Sequence, residues 1–78
     1  MSVTYTAVES LFASSERSCL VRDVGGRLVV VSSDTAFDLV WLGGELLVTR
    51  ADVEDGVSWF ASCGVARPRH AAIRAILG

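Results

Sequence analysis

Apolar positions along the chain change period several times, and each change marks an element. Val8, Leu11 and Phe12 fall at i, i+3 and i+4, one face of a helix. Thr6 and Glu9 stand three apart, as in a capping box, where hydroxyl and carboxylate each satisfy a free amide of the first turn. Together they predict a short helix over 7–15 that ends at Ser14-Ser15. Val3, Tyr5 and Ala7 alternate, so a strand over 2–7 is the competing reading.

Cys19 to Ser33 reads as a β-hairpin. Leu20, Val21 and Val24 precede Gly25-Gly26, and Leu28 to Val31 follow. Two glycines supply the positive φ angles of a two-residue turn, which would pair Val21 with Val30 and Leu20 with Val31. Both faces are then apolar, as in a sheet covered on both sides.

Phe37 to Arg50 supports two readings. A second Gly-Gly, Gly43-Gly44, would turn another hairpin with Trp41 opposite Leu46 and Leu39 opposite Val48; the alternation of Phe-Asp-Leu-Val-Trp-Leu favours this. Alternatively, Asp34 caps a helix with Phe37, Val40 and Trp41 on one face and Gly43 at its C-terminal end. Residues 45–49 are a strand in either case. Thr49 and Asp52 then repeat the capping-box spacing, and Val53, Val57 and Phe60 recur at i, i+4 and i+7, giving a helix over about 50–63 stopped by Gly64. Gly56 weakens it by roughly 1 kcal/mol. Pro68 suits the first turn of a last helix, 68–77, with Ile73, Ile76 and Leu77 facing the core. The expected fold is α+β. A small antiparallel sheet, made of two Gly-Gly hairpins or one hairpin plus a strand, packs with an N-terminal helix and two C-terminal helices in one domain over 1–78.

Composition narrows the picture. The 78 residues are 51% hydrophobic and 21% charged, with net charge −2, a globular rather than a disordered balance. No apolar run approaches the roughly 20 residues needed to cross a bilayer. The first charge is Glu9, so no basic stretch of a secretory signal opens the sequence, and a cytoplasmic location is expected. Cys19 and Cys63 share no metal-ligand spacing and read as reduced, buried structural thiols. Trp41 and Trp59 read as core anchors.

Candidate chemistry is sparse. His70 is the only histidine, and Ala66 and Arg74 occupy its i±4 neighbours, so a metal or general-base role has no local support. Ser58, Ser62 and Cys63 lack an assisting base, and no cofactor motif is present. The last two helices resemble a helix-turn-helix across Gly64-Val65, with Arg67, Arg69 and Arg74 as nucleic-acid contacts. Phe60 stands where that motif needs a small residue, and His70 where it needs an apolar one. The net acidity and the nearby Asp52, Glu54 and Asp55 also oppose phosphate binding. All seven basic residues are arginine, a bias that GC-rich coding DNA explains, so these three are not singled out by type. Arg67, Arg69 and His70 at a helix start suit an anion. An antiparallel helix pair explains them equally, with Arg74 then approaching Asp52, Glu54 and Asp55.

What remains is a surface. Asp52, Glu54 and Asp55 form an acidic cluster, with Asp38 and Glu45 as lesser candidates. In length, mild acidity, α+β pattern and absence of catalytic motifs, the chain resembles the small inhibitors of phages and mobile elements, including anti-CRISPR proteins. The resemblance is one of type and transfers no residue. It implies a non-enzymatic protein-binding module that docks on the basic surface of a nucleic-acid-binding effector complex and sterically blocks access, with those five acids supplying complementary charge. The alternative is a small helix-turn-helix regulator. Direct nucleic-acid binding and membrane association are not expected, and a homodimer is compatible with the abundance of apolar residues.

Overall fold

The computed structural model describes residues 3–14 and 17–78. The chain starts with helix α1 (Tyr5–Glu9) and a 3-10 turn, Ser10–Ala13, and continues through β1 (Ser18–Arg22), β2 (Leu28–Ser32), α2 (Ser33–Trp41), β3 (Glu45–Thr49), α3 (Arg50–Ser62) and α4 (Pro68–Leu77). The strands form one antiparallel sheet in the order β2-β1-β3. β2, α2 and β3 thus make a crossover that steps over β1, as α+β packing of an N-terminal helix and C-terminal helices on a three-stranded sheet requires.

β1 is the centre of the molecule. Leu20 faces one side, where Val48, Val8, Leu11, Val53 and Ile73 complete a core shared by α1, the 3-10 turn, α3 and α4. Cys19 and Val21 face the other side and meet Ala36 of α2, flanked by Val29, Val31 and Leu39. The buried Ser18 hydroxyl donates to the Leu11 carbonyl (3.2 Å), which ties the start of β1 to the 3-10 turn without leaving a polar atom unsatisfied.

The two strand-to-helix joints need no loop. Ser32 ends β2 and caps α2, its Oγ accepting from the Thr35 amide (3.3 Å). Thr49 ends β3 and caps α3 in a full capping box: its Oγ1 accepts from the Asp52 amide (3.1 Å), and its own amide donates to Asp52 Oδ2 (3.4 Å). Both helices stop in the same way. Gly44 N–H reaches the Leu39 carbonyl (2.8 Å) and Gly43 N–H reaches Val40 (3.0 Å); Val65 and Gly64 repeat the pattern on Phe60 and Ala61 (3.1 and 3.0 Å). These are Schellman endings, with Gly43 at φ +106° and Gly64 at φ +80°.

Several expectations are corrected. Residues 35–41 are helix and Leu42 is its C-cap, not the first strand of a second hairpin. A cap at Ser32, Asp34 in the first turn and a glycine stop at Gly43 outweigh the alternation. The cap is therefore Ser32 rather than Asp34. The first hairpin is shifted by one residue, with Val21 opposite Val29 and Leu20 opposite Val30. Its loop holds three residues rather than two, because Asp23 Oδ1 accepts both the Gly25 and Arg27 amides (2.9 Å each) and only Gly26 takes a positive φ, +84°. The N-terminal helix begins at Tyr5, capped by Thr4 rather than Thr6, and Glu9 closes no capping box. Residues 3–7 are not a strand; Ser2 and Ser15 lie outside the described residues. In α4, Ala72 rather than Ile76 is buried beside Ile73.

Gly56 has a packing reason. A Cβ there would lie 3.3 Å from the Ala72 Cβ, so its absence lets α3 and α4 approach closely. Gly44 is tighter still, for a Cβ would meet the Leu39 and Arg22 carbonyl oxygens at 2.8 and 2.9 Å. Gly44→Ala is therefore expected to cost about 2 kcal/mol in chemical denaturation, because backbone must move. Gly25→Ala, with ordinary φ and only the Asp23 carboxylate nearby at 3.4 Å, is expected to stay within about 0.5 kcal/mol.

Candidate functional site

The acids predicted to bind protein do not converge. Asp52 is committed to the capping box, and Glu54 Oε1 accepts from Arg50 Nε at 2.8 Å, an i,i+4 pair on α3. Asp55 is exposed on the same helix. Glu45, at the start of β3, holds Arg22 of β1 at 3.2 Å. Asp38 sits exposed on α2, which covers the face of the sheet opposite α3 and α4. Arg74 forms no ion pair with Asp52, Glu54 or Asp55 among the described residues, so Arg50, not Arg74, answers that cluster.

The arginines at the start of α4 are partly engaged inside the fold. The Arg69 guanidinium lies 4.3 Å from the centroid of Phe12, with Arg50 over the same ring at 5.8 Å. Each such contact contributes about 0.5–1 kcal/mol at a surface site. His70 Nδ1 is 3.1 Å from the Tyr5 hydroxyl, and their rings stand 5.4 Å apart. Arg50 Nη1 also donates to the Ser14 carbonyl at 2.6 Å. The N-terminal segment is thus held by Arg50 of α3 and by Arg69 and His70 of α4, two of the residues that a recognition helix would present to a groove. Arg67 and Arg74 remain exposed.

Chemistry-bearing groups stay dispersed. Ser62 donates to the Trp59 carbonyl (2.7 Å), and among the described residues no cluster of three His, Cys, Asp or Glu could hold a metal. Neither cysteine is in a disulfide, but only Cys19 is buried; Cys63, at the C-cap of α3, is exposed, contrary to expectation. No helix among the described residues is long and apolar enough to cross a membrane.

The tryptophans overturn their expected role. Trp41 is 82% exposed and Trp59 62%. Trp41 belongs to a group on α2 and its surroundings: Phe37 is 70% exposed, Leu42 69%, and Val40 and Leu46 roughly half. Val24, at the tip of the hairpin, reaches to the end of α2, within 3.7 Å of a Cβ built on Gly43. Between α2 and β3 runs an open groove of about 320 Å³ lined by Cys19, Ala36, Phe37, Val40, Leu46 and Thr49. Phe37, Val40, Trp41, Leu42 and Leu46 thus leave large apolar side chains open to solvent on and beside α2. The sequence gives no direct signal of this surface, because a short helix with apolar residues on two sides reads equally as a buried strand.

Cys19 lies at the floor of the groove. Burial pushes its thiol above the ordinary range, and the nearby Asp52 carboxylate adds to the shift. Comparison with known protein families, with characterised proteins and with solved structures finds no match in any of the three.

The Cys19 shift has a sign that can be checked. The folded thiol stays neutral where the unfolded one ionises, so its contribution is complete below the ordinary thiol range, about pH 8.5, and is lost as pH rises above it towards the raised folded value. Unfolding free energy measured by denaturant titration is expected to decline on the alkaline side. Cys19→Ala should remove that part of the decline, and Cys63→Ser should leave it in place.

Proposed function

We propose that the chain is a non-enzymatic protein-binding module whose working surface is the exposed apolar side of α2 with the hairpin tip and β3. The observation that carries this reading is the outward placement of Phe37 and Trp41 on a helix whose ends are fully capped. A helix so well terminated is not frayed, and the aromatic side chains are held out on a rigid support. Aromatic residues of this kind dominate the energetics of protein interfaces because they bury large area at small entropic cost.

Asp34 and Asp38 are also exposed on α2, so the apolar surface has an acidic rim on that helix. This favours a partner whose apolar cleft is edged by basic side chains, as surfaces that handle nucleic acid often are. Together with the resemblance to small phage and mobile-element inhibitors, it supports stoichiometric inhibition: the module occupies the effector's surface and blocks access by bulk. A net charge of −2 is too small for phosphate mimicry, which leaves steric exclusion as the mechanism. In this reading Asp38 keeps its predicted role, while Asp52, Glu54 and Glu45 serve chiefly the fold.

The test is capture of the partner from the native host, its identification, and titration with purified variants. Trp41→Ala and Phe37→Ala should each weaken binding by about 1–3 kcal/mol, roughly fivefold to 150-fold, with thermal unfolding little changed. The triple charge reversal at Asp52, Glu54 and Asp55 should have a smaller effect on affinity. Salt-sensitive binding to duplex DNA that is lost in Arg67→Ala, Arg69→Ala or Arg74→Ala would overturn the proposal in favour of a regulator.

A further inference from the structure

The two edges of the sheet are unlike. β3 carries a register break opposite Leu20 and Val21 and begins with the charged Glu45, two features that discourage further pairing. β2 has neither. Leu28-Val29-Val30-Val31-Ser32 runs in unbroken register along β1, contains no charge and no proline, and has no strand on its outer side among the described residues. Natural sheets seldom leave such an edge open.

We infer that β2 pairs with β2 of a second copy of this chain, antiparallel about a two-fold axis at Val30, to make one continuous sheet. The direction of the amides fits. Asp23 N–H donates to the Arg27 carbonyl (2.9 Å), and alternation along the ladder then turns the Val29 and Val31 amides towards β1 and the Leu28, Val30 and Ser32 amides outward. With Val30 opposite Val30, the Val30 and Ser32 amides meet carbonyls of the other copy. Two bonds form between the valines, and each Ser32 amide donates to a Leu28 carbonyl, about four in all. The Ser32 carbonyl is left for α2, whose first turn it opens.

Side chains agree with that register. Val29 meets Val31 of the other copy on the α2 face, extending the cluster around Cys19, Val21 and Ala36. Val30 meets Val30 on the opposite face, extending the larger core. With Leu28 opposite Ser32, Arg27 at each end of the pair comes beside the first turn of the other copy's α2, which carries Asp34. Arg27 and Asp34 are exposed and make no ion pair within the chain among the described residues. No like charges are brought together. A partner strand of arbitrary sequence would offer the hydrogen bonds but not this reciprocal charge match, which favours a second copy as the occupant. Such an isologous contact closes on itself and leaves β3 and the exposed side of α2 available.

The test is sedimentation velocity, with light scattering, from about 5 µM to about 500 µM, a range suited to a small edge interface. The expected result is a monomer–dimer equilibrium. Arg27→Glu, at an exposed loop position, should raise the dissociation constant about tenfold or more, and adding Asp34→Arg should restore it. A synthetic chain N-methylated at the Val30 amide should remain monomeric while keeping its folded circular dichroism, since that amide takes no part in the ladder with β1. A monomer across the whole range would overturn the inference, as would a dimer indifferent to both changes. A dimer abolished by Trp41→Ala instead would place the second copy on α2 and overturn it too. The outcomes with Arg27→Glu alone and with the Val30 N-methyl chain leave the partner-binding reading untouched, whereas a dimer abolished by Trp41→Ala would count against that reading as well, because the second copy would occupy the same side of α2.

Discussion

Everything in this fold depends on burying β1 from both sides. Five residues, Ser18 to Arg22, supply the middle strand, and four of them are fully enclosed. A strand apolar on both faces cannot stand in a two-layer fold with one wet face. It demands a cover on each side, and the chain has few residues to provide them. The larger core takes α1, the 3-10 turn, α3 and α4; the smaller receives only α2, nine residues long. That asymmetry produces the groove between α2 and β3, since one short helix cannot roof three strands.

The parts of the fold that were legible in the sequence are those written in local chemistry. The Thr49–Asp52 capping box, the Gly64 stop and Pro68 placed α3 and α4 within a residue, because each device acts over three or four positions and has few competitors. The hairpin was legible as an element but not in its register. The Asp23 carboxylate, by drawing in two loop amides, selects a three-residue loop, and one residue of slip exchanges the two faces of the strand. Residues 35–42 were undecidable by periodicity alone. Ala36 and Leu39 point to the sheet while Phe37 and Trp41 point away, so both strand and helix patterns are satisfied, and only the caps at either end decide.

The candidate site was least legible, for a related reason. Reading apolar residues as core assumes that the fold has room to bury them, and here it has not. Its type places Trp41 in the interior, yet α2 has only one buried flank and Trp41 is on the other. Their type suits the acids to a binding surface, yet Asp52, Glu54 and Glu45 are tied to amides or arginines a few ångströms away. Residue type indicates what a side chain prefers, whereas the number of available covering elements determines which preferences go unmet.

The same shortage explains why Arg69 and His70 of α4 are engaged within the fold. α1 is a five-residue helix continued by a single 3-10 turn, too short to persist without tertiary support. Its support comes from Tyr5 against His70, Phe12 beneath Arg69 and Arg50, and the Ser14 carbonyl on Arg50. Cationic side chains at the start of α4, unfavourable for that helix alone, are stabilised by an aromatic ring instead of by a phosphate. Releasing Arg69 or His70 to contact nucleic acid would forfeit the attachments of the N-terminal segment, and with them the cover over Val8 and Leu11. The exposed side of α2 carries no such obligation. Phe37 and Trp41 hold no other element in place, so a partner can take them without cost to the core.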